Sequence, residues 1–210
     1  MYFFSGSVYS VLQRIKYLGH RFKTQFWYRL FLLECGKKSF IIRPIFFTPE
    51  FVAIGDNVQI WFNCRIQGID RYMDRQFTPR IIINDNVSIQ QNAHITCAAR
   101  IEIGGNTAMA TNVTITDINH PYTDISIAPE YQPLEVQPVE IGPDCKIYNN
   151  VIILPGVKLG KHCVVGANSV VRAGEYPDFS VMVGNPAVIV QRFDVHSNQW
   201  HKTSADGTFI

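Results

Sequence analysis

Histidine and cysteine carry most of the proton-transfer and nucleophilic chemistry available to this 210-residue chain, and it holds six of the first and five of the second. One histidine stands apart. His120 is followed by Pro121 and sits where a regular aliphatic pattern stops and a proline-rich, aromatic stretch begins. An imidazole titrates near pH ~6.5, so it can take a proton from a hydroxyl group at neutral pH. His94 directly precedes an aliphatic repeat position and could face a groove or solvent, and His162 falls at a repeat corner. His20, His196 and His201 lie outside the repeat and receive no chemical role. The cysteines (Cys35, Cys64, Cys97, Cys145, Cys163) are odd in number, scattered and never in a CxxC pair. That argues against a disulfide framework and a zinc knuckle and fits a reducing cytoplasm. Cys97 and Cys145 occupy repeat positions and are read as core packing rather than as nucleophiles.

What must position His120 is a repeat of six. From Ile141 an aliphatic residue recurs at Ile147, Ile153, Leu159, Val165 and Val171. The same period runs through Ile54, Ile60 and Ile66, through Ile83, Ile89 and Ile95, and through Ile103, Met109 and Ile115. Small or medium residues follow four positions after the heads, as at Cys145, Val151, Val157, Cys163 and Ser169. A period of six matches neither a 3.6-residue helix nor two-residue alternation. It fits a coil of short strands with three sides per turn, the heads stacked inward and adjacent turns paired through their backbones. Asp56-Asn57, Asn84-Asp85-Asn86, Gly104-Gly105-Asn106 and Pro143-Asp144 supply corners, since these residues tolerate turn geometry. A β-sandwich would show irregular strand lengths and alternation, and neither is present. Two interruptions break the period, residues 67–82 and residues 119–139, and the second is long enough to leave the column and reach another subunit.

The formal net charge of +2 points to no nucleic-acid partner, but its distribution is uneven. Residues 1–45 carry a net charge of +7, with Glu34 as their one acidic residue, and the rest carries −5. Residues 8–33 show helical spacing of Val8, Val11, Leu12, Ile15, Leu18, Phe22, Phe26, Leu30 and Leu33, with most cations off that stripe. Such a helix either caps the open end of the coil or rests on an anionic membrane; capping is the preferred reading, and the two are compatible. No stretch of about 18 apolar residues predicts a spanning helix, and no signal-peptide pattern is recognised. The expected organisation is a helical basic segment over 1–45, a coil over 46–192 with a loop at 119–139, and a tail over 193–210. A cytoplasmic location is expected, with contact at the inner membrane face as an option.

The hexapeptide period, the segment Ile115-Thr-Asp-Ile-Asn-His-Pro121 and the end Val183-Gly-Asn-Pro-Ala187 together resemble the hexapeptide-repeat acyltransferases. The pattern is most similar to sugar O-acetyltransferases, including galactoside and maltose enzymes and those of capsule, O-antigen and exopolysaccharide synthesis. The resemblance spans residues 42–193. It implies an all-β, left-handed parallel β-helix assembled as a homotrimer, with acetyl-CoA as co-substrate and no metal. It implies His120 as general base, acting in a ternary complex on a hydroxyl of a sugar, nucleotide sugar or lipid-linked glycan. It further implies that the backbone N–H at Asn149 meets the oxyanion and that Gly166 and Ala167 admit the pantetheine arm. Gln90 and Asn92 match an acceptor-holding amide. Asp117 would orient the imidazole or bind a sugar hydroxyl, and Tyr122 and Asp124 would contact the sugar. Arg172 and Arg192 are the cations available for the nucleotide phosphates. The chain departs from the family there: Arg172-Ala173 stands where relatives carry Thr-Lys, and Val188 where they carry Arg.

Four other functions share parts of this pattern. A γ-carbonic-anhydrase-like metal lyase needs two histidines five residues apart, and positions 115 and 125 are both isoleucine. A non-catalytic scaffold would not place His-Pro and a long loop at the end of a repeat. Acetylation of an antibiotic or an amino sugar remains open, whereas serine acetylation lacks its large helical domain.

Overall fold

A computed structural model describes residues 7–210. The fifteen heads of the hexapeptide period are all buried, none more than 4% exposed, and they form one continuous column with the residues four positions on. Around that column the chain winds as a left-handed parallel β-helix with three faces. Face A runs from Glu34–Cys35 to Gly174–Tyr176, face B from Phe40–Ile41 to Gln199–Lys202, and face C from Phe46–Phe47 to Val170–Val171. Heads stack directly across turns: Ile66 pairs with Ile95, Ile95 with Ile115, and Ile115 with Ile153. The parallel register therefore lines up the inward residues of every turn.

Corner geometry explains the asparagines. Three positions after the heads of faces A and B the backbone enters the left-handed region, at Asn57, Asn86, Asn92, Asn106, Asn112 and Asn150 among others. Asparagine tolerates that conformation better than other non-glycine residues, and its amide can bond along the stack. Two ladders result. Asn57, Asn86, Asn106 and Asp144 are linked side chain to side chain along one corner. Asn92, Asn112, Asn150 and Asn168 are linked along the other, at 2.9–3.0 Å.

Both interruptions leave from the corner between faces C and A. Residues 69–79 form a short antiparallel hairpin, Arg71–Tyr72 against Arg75–Gln76. The longer loop closes on itself where Ile118–Asn119 pairs antiparallel with Glu135–Val136.

The ends depart from expectation in three ways. Coiling begins earlier than residue 46: Cys35, Ile41 and Phe47 are six apart and form a first turn on the three faces. The expected tail is structured, because Ala187–Asp194 and Gln199–Lys202 extend face B as antiparallel strands, and a boundary at 192 would cut a strand. The helix, α1, spans Val8–Phe26 and is followed by a 3-10 turn at Tyr28–Leu30, not by a continuation to 33. It does cap the coil, packing on the Phe40–Ile41 edge. Fully buried Thr24 accepts the outward-pointing N–H of Ile41 at 2.9 Å, and Tyr17 packs against Phe40 and Trp61. The capping side is thus the polar and tyrosine side of α1, not its aliphatic stripe.

Candidate functional site

His120 stands on the longer loop just beyond its closing pair of strands, with a side chain 42% exposed. The hairpin of the first interruption leans onto it. The Tyr72 ring meets the imidazole edge-on at 5.5 Å between centroids, and its hydroxyl donates to the backbone carbonyl of Glu130 on the far limb of the loop. The Glu130 carboxylate lies 4.0 Å from His120 Nδ1. At that distance the two groups face each other without a direct hydrogen bond. Partial desolvation, then the nearby Glu130 carboxylate and Tyr131 phenol, hold the Tyr72 hydroxyl above its ordinary pKa, so it remains a donor. In the sequence Tyr72 falls inside the interruption at residues 67–82, with nothing to link it to His120. Two aperiodic segments meeting at one corner left no signal in the repeat.

The loop is internally tied by a residue that also went unremarked. Gln132 is buried and donates through Nε2 to the carbonyls of Asp124 and Ile127, at 2.9 and 2.8 Å. Asp124, expected to touch a sugar, closes a local turn: one carboxylate oxygen accepts from the N–H and hydroxyl of Ser126, which holds its pKa below the usual carboxylate range. Tyr122 is open, and Ile125 at the loop tip has no cover from its own chain.

Two expected acceptor residues belong to the scaffold. Asp117 is fully buried, and its oxygens accept from the backbone N–H groups of Ala98, Ala99 and Arg100 at 2.7–2.9 Å. It binds the tight corner one turn below the loop and offers nothing to an imidazole or a sugar. Asn92 is a rung of the second corner ladder. Gln90 is half-buried on face B and donates to Ser88 at 3.2 Å.

Among the residues expected to meet CoA, Asn149 is exposed with its side chain bonded to Thr111, and its N–H meets no protein acceptor among the described residues. Gly166 lies flat against the last turn, where a Cβ would come within 2.7 Å of Val183. Ala167 and Arg172 are exposed. Arg192 is committed elsewhere: it donates to the Gly207 carbonyl and lies 5.4 Å from the Phe209 ring. The C-terminal segment thus occupies that expected phosphate ligand. An aromatic-floored cleft of about 340 Å3 lies between α1 and face B, and His120 is not among its lining residues.

The cysteines behave as core. Cys64, Cys97, Cys145 and Cys163 are buried and unpaired, and burial pushes the Cys64 thiol up to about 11. Cys97 is raised by burial and by the adjacent Asp117 carboxylate. A thiolate is the reactive form. Burial keeps reagents from the four core thiols, so native protein should react with a disulfide reagent at about pH 8 only slowly and through half-buried Cys35, and all five thiols should react once it is denatured. Rapid native labelling of Cys97 would contradict a core role.

Residues 138–173 match the family described as bacterial transferase hexapeptide (six repeats). A candidate lipopolysaccharide biosynthesis O-acetyl transferase, WbbJ, of Escherichia coli (strain K12) is 37% identical over 129 residues, which cover 58% of this chain and 65% of that protein. A probable acetyltransferase of Mycobacterium tuberculosis is 38% identical over 160 residues, 72% of this chain and 53% of the relative. The chain thus spans less than two thirds of either. The fold is that of AntD, an N-acyltransferase from Bacillus cereus solved with dTDP and 3-hydroxybutyryl-CoA, with a TM-score of 0.65 at 20% identity over 78% of this chain and 85% of that one. It is also that of a hexapeptide-repeat acetyltransferase from Vibrio cholerae solved with acetyl coenzyme A, with a TM-score of 0.57 at 22% identity over 92% and 93% of the two chains.

Proposed function

We propose that this hexapeptide-repeat protein is an acetyltransferase that moves an acetyl group from acetyl-CoA to a sugar hydroxyl, with His120 as general base. The observation that carries the reading is the meeting of both interruptions on one imidazole, held between the Tyr72 ring and the Glu130 carboxylate. The sugar class rests on the O-acetyl transferase relative and on no residue of this chain.

In this mechanism Nε2 removes the acceptor hydroxyl proton as the oxygen attacks the thioester carbonyl. The tetrahedral oxyanion takes a hydrogen bond from the Asn149 N–H, which stands exposed at a corner. Collapse breaks the carbon–sulfur bond, and the CoA thiolate recovers the proton from the imidazolium. Both substrates are bound together, so no acyl-enzyme forms and the buried cysteines are not needed. Gly166 and Ala167 offer the pantetheine arm close access to backbone, and Arg172, exposed six residues after Gly166, is a cation for its phosphates.

His120 and Asn149 belong to successive turns of one coil, and a groove between two copies is the arrangement that would bring such groups to one substrate. The uncovered Ile125 at the loop tip supports a homotrimer in which the loop reaches a neighbour. The setting we infer is cytoplasmic synthesis of a surface polysaccharide, on a nucleotide-sugar or lipid-linked acceptor.

Thiol release from acetyl-CoA, measured against a panel of free sugars, nucleotide sugars, amino sugars and lipid-linked glycans, tests the reading. Acceptor-dependent release with a hydroxyl sugar and an alkali-labile ester product are expected. Release confined to amino acceptors would replace O-acetylation with N-acylation. A monomeric mass at micromolar concentration would remove the shared groove.

A further inference from the structure

We infer that the outward face of α1 and the apolar residues following it dock the protein on an anionic phospholipid bilayer. Residues spaced three and four apart share one side of a helix. Val8, Leu12, Ile15, Phe22 and Phe26 form such a line and are 58–78% exposed. The opposite side, Gln13, Tyr17, His20 and Thr24, is the one turned to the coil. The helix is therefore mounted with its aliphatic stripe facing away from the protein. Trp27, Leu30, Phe31 and Leu33 prolong the exposed apolar surface past its end. An apolar area of this length, held on one side of a structured element, marks an interaction surface and not scattered exposure.

Charge identifies the occupant. Arg14 flanks the stripe on one side and Lys16 and Lys23 on the other, and α1 contains no acidic residue. The rest of the chain beyond residue 45 carries −5, so an anionic plane attracts the α1 end and repels the body. Trp27, packed with Phe31 just past the end of the stripe, suits the headgroup boundary. No helix among the described residues is long and apolar enough to cross a membrane, so α1 lies in the plane of the interface. A second copy is a poorer occupant. Pairing two such stripes would set arginine and lysine flanks against each other with no acidic residue to offset them.

The inference stands apart from the acetyl-transfer reading, and its test needs no turnover. Full-length protein is sedimented with phosphatidylcholine vesicles, with and without phosphatidylglycerol. Binding is expected to the anionic vesicles and to weaken with salt. Ile15→Glu with Phe22→Glu, both at exposed positions, should weaken binding by about tenfold or more and leave the thermal midpoint unchanged. Lys16→Glu with Lys23→Glu should do likewise without touching the apolar stripe, which keeps the test valid if the first pair disturbs folding. Equal sedimentation with neutral and anionic vesicles, or no sedimentation with either, would overturn the inference. So would a stripe variant that lowers the oligomeric mass in solution while binding vesicles like the wild type.

Discussion

Replacing His120 with alanine should lower acceptor-dependent thiol release by about 10²–10⁴-fold, the range over which a positioned general base contributes. Folding should be unaffected, because the side chain is 42% exposed and supports no backbone segment. The loss should fall on kcat with the KM for acetyl-CoA nearly unchanged, since the imidazole acts on the acceptor proton and not on CoA. Tyr72→Phe separates two parts of the site. It keeps the ring against the imidazole and removes the hydroxyl bond to Glu130. A smaller fall, paired with greater mobility of the loop, is expected from it. Glu130→Gln removes the anion beside Nδ1 and should lower the rate by less than His120→Ala does. Thiol release that survives His120→Ala undiminished would end the general-base mechanism.

Legibility in the sequence follows the range of the interaction. Every head of the six-residue period is buried, because stacking in a coil depends on a local spacing that the chain writes out residue by residue. The first turn, at Cys35, Ile41 and Phe47, carries the same spacing but was hidden by the basic charge around it. His120 was readable because the period ends just before it. Tyr72 was not, because its partner lies in a different aperiodic segment and no periodicity links the two. Asn92 and Asp117 show a different limit. An amide or carboxylate that binds sugar is chemically the same as one that closes a ladder or a corner, and only three-dimensional surroundings tell them apart. For α1 the amphipathic stripe was plain in the spacing, yet its facing direction was set by Thr24 and Tyr17 on the other side.

Asp117 supplies the largest expected effect on stability. Its carboxylate accepts three backbone N–H groups at the corner formed by Ala98, Ala99 and Arg100, and it also accepts from the Cys97 thiol at 3.3 Å. The corner has no glycine or asparagine and, unlike those on the other edges, is not held by a side-chain ladder. Removing the acceptor strands donors in a place where Asp117 itself is wholly shielded from water. Each stranded buried donor costs about 1–3 kcal/mol, so Asp117→Ala should cost about 3–5 kcal/mol once partial hydration is allowed for. For a chain of this size that lowers the thermal midpoint by about 10 °C. Asp117→Asn should fall between, since one oxygen still accepts while the amide turns its own N–H toward the same donors. The contrast with a sugar-binding role is direct. Below the midpoint of the Asn variant, its KM for the acceptor should match the wild type, whereas a sugar ligand would raise KM and leave the midpoint alone.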